Sequence, residues 1–261
     1  MISITSAKSP KNNSKAHRIK IWAVVFWLLV WQAASIQIGQ DILLVSPLSV
    51  LVRLGDLVFT ADYWYSIYFS LIRIGAGFLL AVAAGTLLAG FGARFMRVYQ
   101  LLNPLMLAIK ATPVASFSIL VLIWLPSRNL SVFIALLMVL PIVYTNVLDG
   151  IQNTDTRLLE MAKVFRIPAL RRIRFIYIPQ IMPFFRAACT VSLGLCWKAG
   201  VAAEVIGIPK GSIGEKLYEA KIYLSTPDLF AWTLTIILIS LLFEKVFLLL
   251  LRGAAHRLER M

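Results

Sequence analysis

The sequence predicts an all-α membrane protein with six transmembrane helices, and three observations support this prediction. Hydrophobic residues make up 60% of the chain and charged residues 15%, against about half and about a quarter in soluble domains. Six separate apolar runs are each long enough to cross a hydrocarbon core about 30 Å thick as a helix. The Lys and Arg residues concentrate in alternate loops. Because lipid removes the need for a large water-excluding core, chain length does not predict the number of domains.

Each predicted span is one of these apolar runs. They cover residues 19–38, 64–92, 98–125, 130–148, 181–206 and 229–251. The first run follows a basic stretch and resembles a secretory signal in that respect. No convincing small-residue cleavage site follows it, and five more spans come after it, so we predict an uncleaved first span.

The spans divide the chain into three parts. Residues 1–18 are predicted to form a basic cytoplasmic tail, residues 19–251 a six-span domain with a large loop at about 149–180, and residues 252–261 a second cytoplasmic tail. The sequence shows no internal repeat, so a two-fold pathway requires a second chain.

The net charge of +14 is explained by membrane topology rather than by nucleic-acid binding. With the N-terminus inside, cytoplasmic segments hold sixteen of the 26 Lys and Arg residues and external segments hold five, while the other five lie in or beside spans. This is the positive-inside bias of a six-span protein with both termini cytoplasmic.

Small residues and prolines mark positions of close helix packing and bending. Gly77, Ala81, Gly85 and Ala89 form a stripe on one face of the second span, which favours close helix approach, either within the chain or between subunits. Pro113 lies inside the predicted third span, where it frees a carbonyl group and bends a helix.

No motif in the chain indicates enzymatic chemistry. Cys189 and Cys196 lie within one span, about 10 Å apart along a helix, which is too far for a disulfide. The two histidines, His17 and His256, lie in the tails, and no cluster has metal-ligand spacing. No Walker sequence is present. We therefore predict no enzyme activity, no cofactor and no metal, and any ATP hydrolysis must come from another chain.

The loop at 149–180 is charged and broken by proline, although it lies between two apolar spans. It carries six Lys and Arg residues. Leu158, Met161, Ala162 and Phe165 recur at helical spacing, and Pro168 ends that helix and suits the start of a second one. The pattern therefore predicts two short amphipathic helices joined at a rigid bend within residues 149–180. We name this segment the knob, and it offers a surface against which a soluble partner can push.

The same loop carries a family resemblance. Glu160-Met161-Ala162, followed by Ile178-Pro179, resembles the Glu-Ala-Ala loop of type I ABC-importer permeases. Residues 197–207 and 211–214 resemble the fifth span and external loop of the nitrate/sulfonate/taurine-type members. Together the resemblance covers roughly residues 64 to 251. Arg166 stands where the family has the glycine that makes the bend, and Pro168 can make the bend instead.

The resemblance implies the permease subunit of a binding-protein-dependent importer in the bacterial inner membrane, in a multi-pass arrangement surrounded by lipid. It implies ABC ATPase subunits, an extracytoplasmic solute-binding protein and a second copy of the permease, in a homodimer, as partners. It also implies a small, nitrate-, sulfonate- or taurine-like solute carried by alternating access. The ATPase-coupling residues are then Glu160, Met161, Ala162, Phe165, Arg166, Pro168 and Pro179. The alternative is an ion-coupled secondary transporter, in which intramembrane charges relay the coupling ion.

The candidate translocation path rests on ionisable, aromatic and proline residues within the spans: Lys110, Pro113, Trp197, Lys198 and Glu204. Burying charge in lipid is costly, so such side chains usually face protein or water. Lys110 and Lys198 lack a carboxylate one helical turn away. They either line the path or reach the membrane surface or another helix. Trp197 is alternatively a packing residue, and Glu204 is alternatively a structural residue at the Gly207-Ile208-Pro209 turn.

Overall fold

The computed structural model describes residues 21–40 and 42–260, so the predicted tail at 1–18 lies outside the described residues. The described chain is all α-helical apart from one π-helical turn, Ile173–Tyr177. The α-helices are α1 (Ile21–Ile38), α2 (Pro47–Val58), α3 (Ala61–Arg94), α4 (Met96–Ala111), α5 (Val114–Val121), α6 (Ser127–Gln152), α7 (Thr156–Val164), α8 (Ala169–Arg172), α9 (Ile178–Gly207), α10 (Ile213–Ile222) and α11 (Thr226–Arg260).

The helices confirm the predicted all-α membrane fold. Within the described residues, five helical segments are long and apolar enough to cross a membrane, or six if α4 and α5 are counted together as one span. The third span is therefore not the single helix that the sequence predicts, because α4 and α5 meet at 105°. The break falls at Thr112 and Pro113, where proline removes a helical donor. The sixth span continues as helix through Arg260, over most of the predicted C-terminal tail.

Two short helices, α2 and α10, were not predicted from the sequence. Both begin at a serine whose hydroxyl accepts a hydrogen bond from the backbone N–H three residues later: Ser46 from Ser49 and Ser212 from Glu215. This N-cap satisfies a donor that the helix leaves free. Both helices lie at the same end of the bundle, which we name the α10 end, and the opposite end carries α7.

The core forms where α6 packs against α3 on one side and α9 on the other. All four small residues of the stripe on α3 are buried. Gly77 faces the carbonyl oxygen of Val132, and Gly85 faces Val143, both on α6. The stripe therefore serves close packing within the chain, which is one of the two alternatives that the sequence left open.

The outer helices α1 and α11 are largely uncovered. Only 6% of the residues in the apolar window of each helix are buried, and large side chains such as Trp22, Trp27 and Leu250 are more than two-thirds exposed. Exposed apolar surface of this extent on span-length helices is expected where lipid is the solvent.

Ion pairs join α2 to α11 and α10 to α3 at the α10 end. Arg53 on α2 pairs with Asp228 on α11, and hydrogen bonding to that carboxylate raises the pKa of Arg53. Lys216 on α10 pairs with Asp62 and Glu219. Burial alone lowers the pKa of Lys216, but the two carboxylates outweigh it, and the net pKa is raised. Both cations are therefore held in their charged form.

Candidate functional site

The predicted knob is a helix–turn–helix with a left-handed residue at its centre. After α7 ends, the N–H of Arg166 donates to the carbonyl of Lys163 (3.1 Å) and the N–H of Ile167 donates to that of Ala162 (2.9 Å). This is the Schellman pattern that closes a helix C-terminus. It requires positive φ, and Arg166 has φ 51°. Arg166 itself therefore takes the conformation expected of the family glycine, and Pro168 then precedes α8.

Two side chains hold the knob together, one from α8 at the turn and one from α9 at the start of α7. The guanidinium of Arg172 donates to the carbonyl of Ile167 (3.2 Å), and the side-chain oxygen of Gln180 accepts from the N–H of Asp155 (2.8 Å). The second helix of the knob is also not separate. From α8 the chain runs through the π-helical turn into α9 as one apolar helical segment, Ala169–Gly207. The knob and the fifth span are therefore one mechanical unit.

The knob presents apolar side chains beside basic ones. Val164, Phe165 and Leu170 are 78%, 73% and 83% exposed. Such side chains on a braced turn are suited to docking another protein. Of the other predicted coupling residues, Glu160, Met161, Arg166 and Pro168 are exposed, Ala162 is buried beneath the turn, and Pro179 lies exposed in the first turn of α9.

Three of the predicted path residues lie on uncovered surfaces of the described chain. Lys110, at the end of α4, is exposed, and its ammonium donates a long hydrogen bond (3.4 Å) to the hydroxyl of Thr145 on α6. Pro113 is exposed at the break between α4 and α5, and Lys198 is exposed on α9. In the part of the chain that the structure describes, Lys198 has no carboxylate within ion-pair distance.

The other two predicted path residues are buried. Trp197 is 1% exposed and meets Phe243 edge to face, with ring centroids 5.9 Å apart. Glu204 is 0% exposed. The geometry of both therefore suits packing and bracing in this chain, whereas Lys110, Pro113 and Lys198 remain on its surface. That any of the five lines a path stays a prediction.

Glu204 belongs to a buried polar cluster that sequence reasoning missed. Its Oε2 accepts from the Ser70 hydroxyl (2.7 Å) and from the N–H of Gly214 (3.3 Å), and the Ser70 oxygen accepts from the N–H of Ile213 (3.0 Å). The cluster ties α3, α9 and the start of α10 together. The available signal was a serine among apolar residues in the second span, which by itself does not indicate a partner 134 residues away.

An arginine pair at the α10 end was also missed as a unit. The Nε of Arg73 on α3 donates to the backbone carbonyl of Arg128 (2.6 Å), and its guanidinium carbon lies 3.8 Å from the centroid of the Phe69 ring. Arg128 is exposed at the start of α6. The side chain of Arg73 is thus anchored to the backbone at the start of α6, at the residue that carries a second, exposed cation.

The chain matches a known family of membrane proteins over most of its length. Residues 77–260 match the family model described as the binding-protein-dependent transport system inner membrane component. The matched region begins in α3 and includes the knob, the α4–α5 break and the fifth and sixth spans.

Individual relatives are all named as transport permeases, but their names give different solutes. The chain is 27% identical to a putative aliphatic sulfonates transport permease of Bacillus subtilis, over 78% of this chain and 74% of the relative. It is 25% identical to a nitrate import permease of Synechococcus elongatus, over 74% and 73%. It is also 24% identical to a formylaminopyrimidine transport permease of Halalkalibacterium halodurans, over 70% and 74%.

A solved structure shares the fold. One chain of an amino acid ABC transporter superposes with a TM-score of 0.53 at 20% identity, and the match covers 74% of this chain and 94% of that one. At this identity the likeness concerns the arrangement of helices and does not extend to the solute.

Proposed function

Because the chain belongs to the family of inner membrane components of binding-protein-dependent transport systems, we propose that it forms the solute path of an ATP-driven importer. The family membership confirms the prediction of an import permease, and of a multi-pass protein in the bacterial plasma membrane. Beyond the family, we propose how transport is driven, what kind of solute the chain carries and which proteins it assembles with.

The knob is proposed as the docking point for a separate ATPase subunit. The observation that supports it most is that Val164, Phe165 and Leu170 are exposed on and beside a turn held by three hydrogen bonds, made by Arg166, Ile167 and Arg172. A fourth bond, from Asp155 to Gln180, ties the start of α7 to α9. Because the knob is continuous with α9, closure of an ATPase pair against it moves a membrane span. Alternating access then follows from rocking of α9 and the helices packed on it.

The test of this proposal removes the stiffness of the turn without removing its surface. Replacing Ile167 and Pro168 together by Gly should leave membrane insertion intact and abolish ATP-driven uptake, because force passes only through ordered elements. A matched control replaces Ile222 and Tyr223, which are exposed near the end of α10, by Gly. Normal uptake and normal co-purification of an active ATPase subunit from the Ile167/Pro168 variant would contradict the proposal.

The solute is proposed to be small and to carry a negatively charged or electron-rich group. Two relatives are named for sulfonates and nitrate, and Lys110 and Lys198 expose cationic groups on the helical segments that carry them. A second copy of the chain is proposed to face the surface of α9 that carries Lys198, so that the path lies between two subunits. An external solute-binding protein is proposed to deliver the solute to the α10 end.

A further inference from the structure

Arg73 is fixed in place but keeps most of its hydrogen-bonding capacity. A guanidinium has five N–H donors, and the described residues engage only Nε–H, through the Arg128 carbonyl. The Phe69 ring supports the guanidinium plane at 3.8 Å. The two terminal nitrogens, which form the fork that pairs with planar or tetrahedral oxyanions, have no hydrogen-bond partner within the described residues. The side chain is only partly buried.

Arg128 adds a second cation beside the first. It is exposed, and its own backbone carbonyl is the acceptor that holds Arg73. The two like charges therefore repel each other across this short stretch of chain. Every ion pair within residues 21–40 and 42–253 involves Arg53 or Lys216, so neither Arg73 nor Arg128 forms an ion pair with a carboxylate of that part of the chain. The carboxylate of Glu204 attracts Arg73 electrostatically, but the two form no ion pair. Its Oε2 accepts hydrogen bonds from Ser70 and Gly214, while its Oε1 has no hydrogen-bond partner within the described residues.

The pair also lies at the depth of a predicted path residue. The thiol of Cys196 contacts the carbonyl of Ile74, and Gly200 packs against the side chain of Ile74. Residues 196–200 of α9 therefore lie beside the residue that follows Arg73. Lys198, within that stretch, is at the same level along the bundle axis as Arg73.

We propose that Arg73 and Arg128 form an oxyanion-receiving site, which takes the sulfonate, nitrate or carboxylate group of the solute at the α10 end of the bundle. This inference rests on the proposed function. Placing an anion between two unneutralised arginines relieves their mutual repulsion and fills the free fork of Arg73. The site differs from the predicted lysine path in using bidentate donors, which select for oxyanion geometry rather than for charge alone.

The same oxyanion chemistry occurs in the phosphate of a lipid headgroup, and the experiment separates the two sources. The full chain is purified in dodecyl maltoside, which contains no phosphate. Thermal unfolding is followed while sodium methanesulfonate, nitrate or acetate replaces sodium chloride at constant ionic strength. A parallel series adds dioleoylphosphatidylglycerol instead. The variants are Arg73→Gln and Arg128→Gln, with Lys221→Gln as the control, because Lys221 is an exposed cation at the same end.

At least one of the three small anions should raise the Tm of the wild type and of Lys221→Gln. Its apparent affinity should fall by about tenfold or more in each arginine variant, the usual loss for a hydrogen bond to a charged group. Arg128→Gln keeps the backbone carbonyl that holds Arg73, so it tests the site even if Arg73→Gln disturbs packing.

Absence of a small-anion effect in the wild type, or an equal effect in all variants, overturns the proposal. An arginine-dependent effect of the lipid alone also overturns it, because the site is then a headgroup site. These measurements need no ATPase subunit, so their failure is distinct from a failure of the coupling test on Ile167 and Pro168.

Discussion

The carboxylate of Glu204 on α9 accepts a hydrogen bond from the hydroxyl of Ser70 on α3, at 2.7 Å and out of contact with solvent. Two backbone N–H groups at the start of α10 donate to the same cluster: that of Ile213 to the Ser70 hydroxyl oxygen, and that of Gly214 to the Glu204 carboxylate. One carboxylate therefore fixes the junction between the fifth span and the helix beyond it. Removal of this carboxylate leaves two buried donors, the Ser70 hydroxyl and the Gly214 N–H, without their acceptor, which is costlier than losing the bonds themselves.

The first prediction follows from this cluster. Glu204→Ala should lower the free energy of unfolding by about 3 kcal/mol, because the Ser70 hydroxyl and the Gly214 N–H lose their acceptor. Glu204→Gln retains an acceptor oxygen and should cost less than half as much. Denaturant unfolding in detergent measures both. Glu244→Ala, a carboxylate on α11 for which the described chain shows no ion pair, is the control; equal losses in the two alanine variants would refute the structural role.

The second prediction concerns the packing of α3 on α6. A Cβ at residue 77 would lie 2.8 Å from the Cβ of Ala135 and clash with the carbonyl of Val132. Gly77→Ala should therefore destabilise the chain by about 1–3 kcal/mol through overpacking. A Cβ added to Gly90, on the same helix, would meet open space, so Gly90→Ala should be neutral or slightly stabilising. A pair of equal Tm shifts would contradict the observed interface.

The third prediction concerns the left-handed residue of the knob. Arg166→Gly should stabilise the turn by up to about 1 kcal/mol, because glycine adopts positive φ without steric cost. Arg166→Val should destabilise it, since β-branched residues disfavour this conformation. Hydrogen exchange of the amides of Arg166 and Ile167 reports the change locally. If these amides exchange at the same rate in the two variants, the stability of the turn does not depend on the φ preference of residue 166.

The fourth prediction tests the cation on α9. Lys198→Met keeps the length and apolar stem of the side chain but removes its charge. Uptake of an anionic solute should then fall by about tenfold, because a cation attracts an anion strongly in a water-poor path of low dielectric constant. Assembly and basal ATP hydrolysis should persist. Lys210→Met, an exposed cation after α9, is the matched control. Wild-type uptake by Lys198→Met would assign the lysine to an interface or to the membrane surface.

The fifth prediction fixes the orientation of the bundle. After replacement of the buried Cys189 and Cys196, single cysteines are introduced at four exposed positions, two at each end: Ser49 and Tyr223 at the α10 end, Thr156 and Val164 at the α7 end. The positive-inside bias places the α7 end in the cytoplasm. An impermeant maleimide added outside should therefore label the first pair only. Labelling of the second pair in intact cells would invert the orientation and remove the basis for ATPase docking.

The spans were predictable because each needs only an apolar run of sufficient length, and composition reports that directly. The knob was predictable for a similar reason, since Pro168 and the spacing of Met161 and Phe165 are local signals. The left-handed backbone conformation of Arg166 was not predictable from the conformational preference of arginine. Arginine rarely takes positive φ, and the Schellman hydrogen bonds override that preference.

Features that depend on distant parts of the chain were not predictable. Pro113 signalled a bend, but no local pattern gives its size, which is 105° between α4 and α5. Ser70 and Arg73 are single polar residues in an apolar span, and their partners lie 134 and 55 residues away. A single sequence carries no signal that joins residues so far apart in the chain.

Because α8, the π-helical turn and α9 form one continuous helical segment, a movement of the knob is carried along the whole length of the fifth span. A helical run of 39 residues is about 58 Å long, so its two termini lie on opposite sides of a bilayer. A tilt of about 5° around its midpoint displaces each terminus by roughly 2–3 Å at that length. The Ile208 end receives such a displacement without a loop to absorb it, and Glu204 passes it to α10. The proposed solute-receiving end and the proposed docking knob therefore lie towards the two ends of one continuous helical segment.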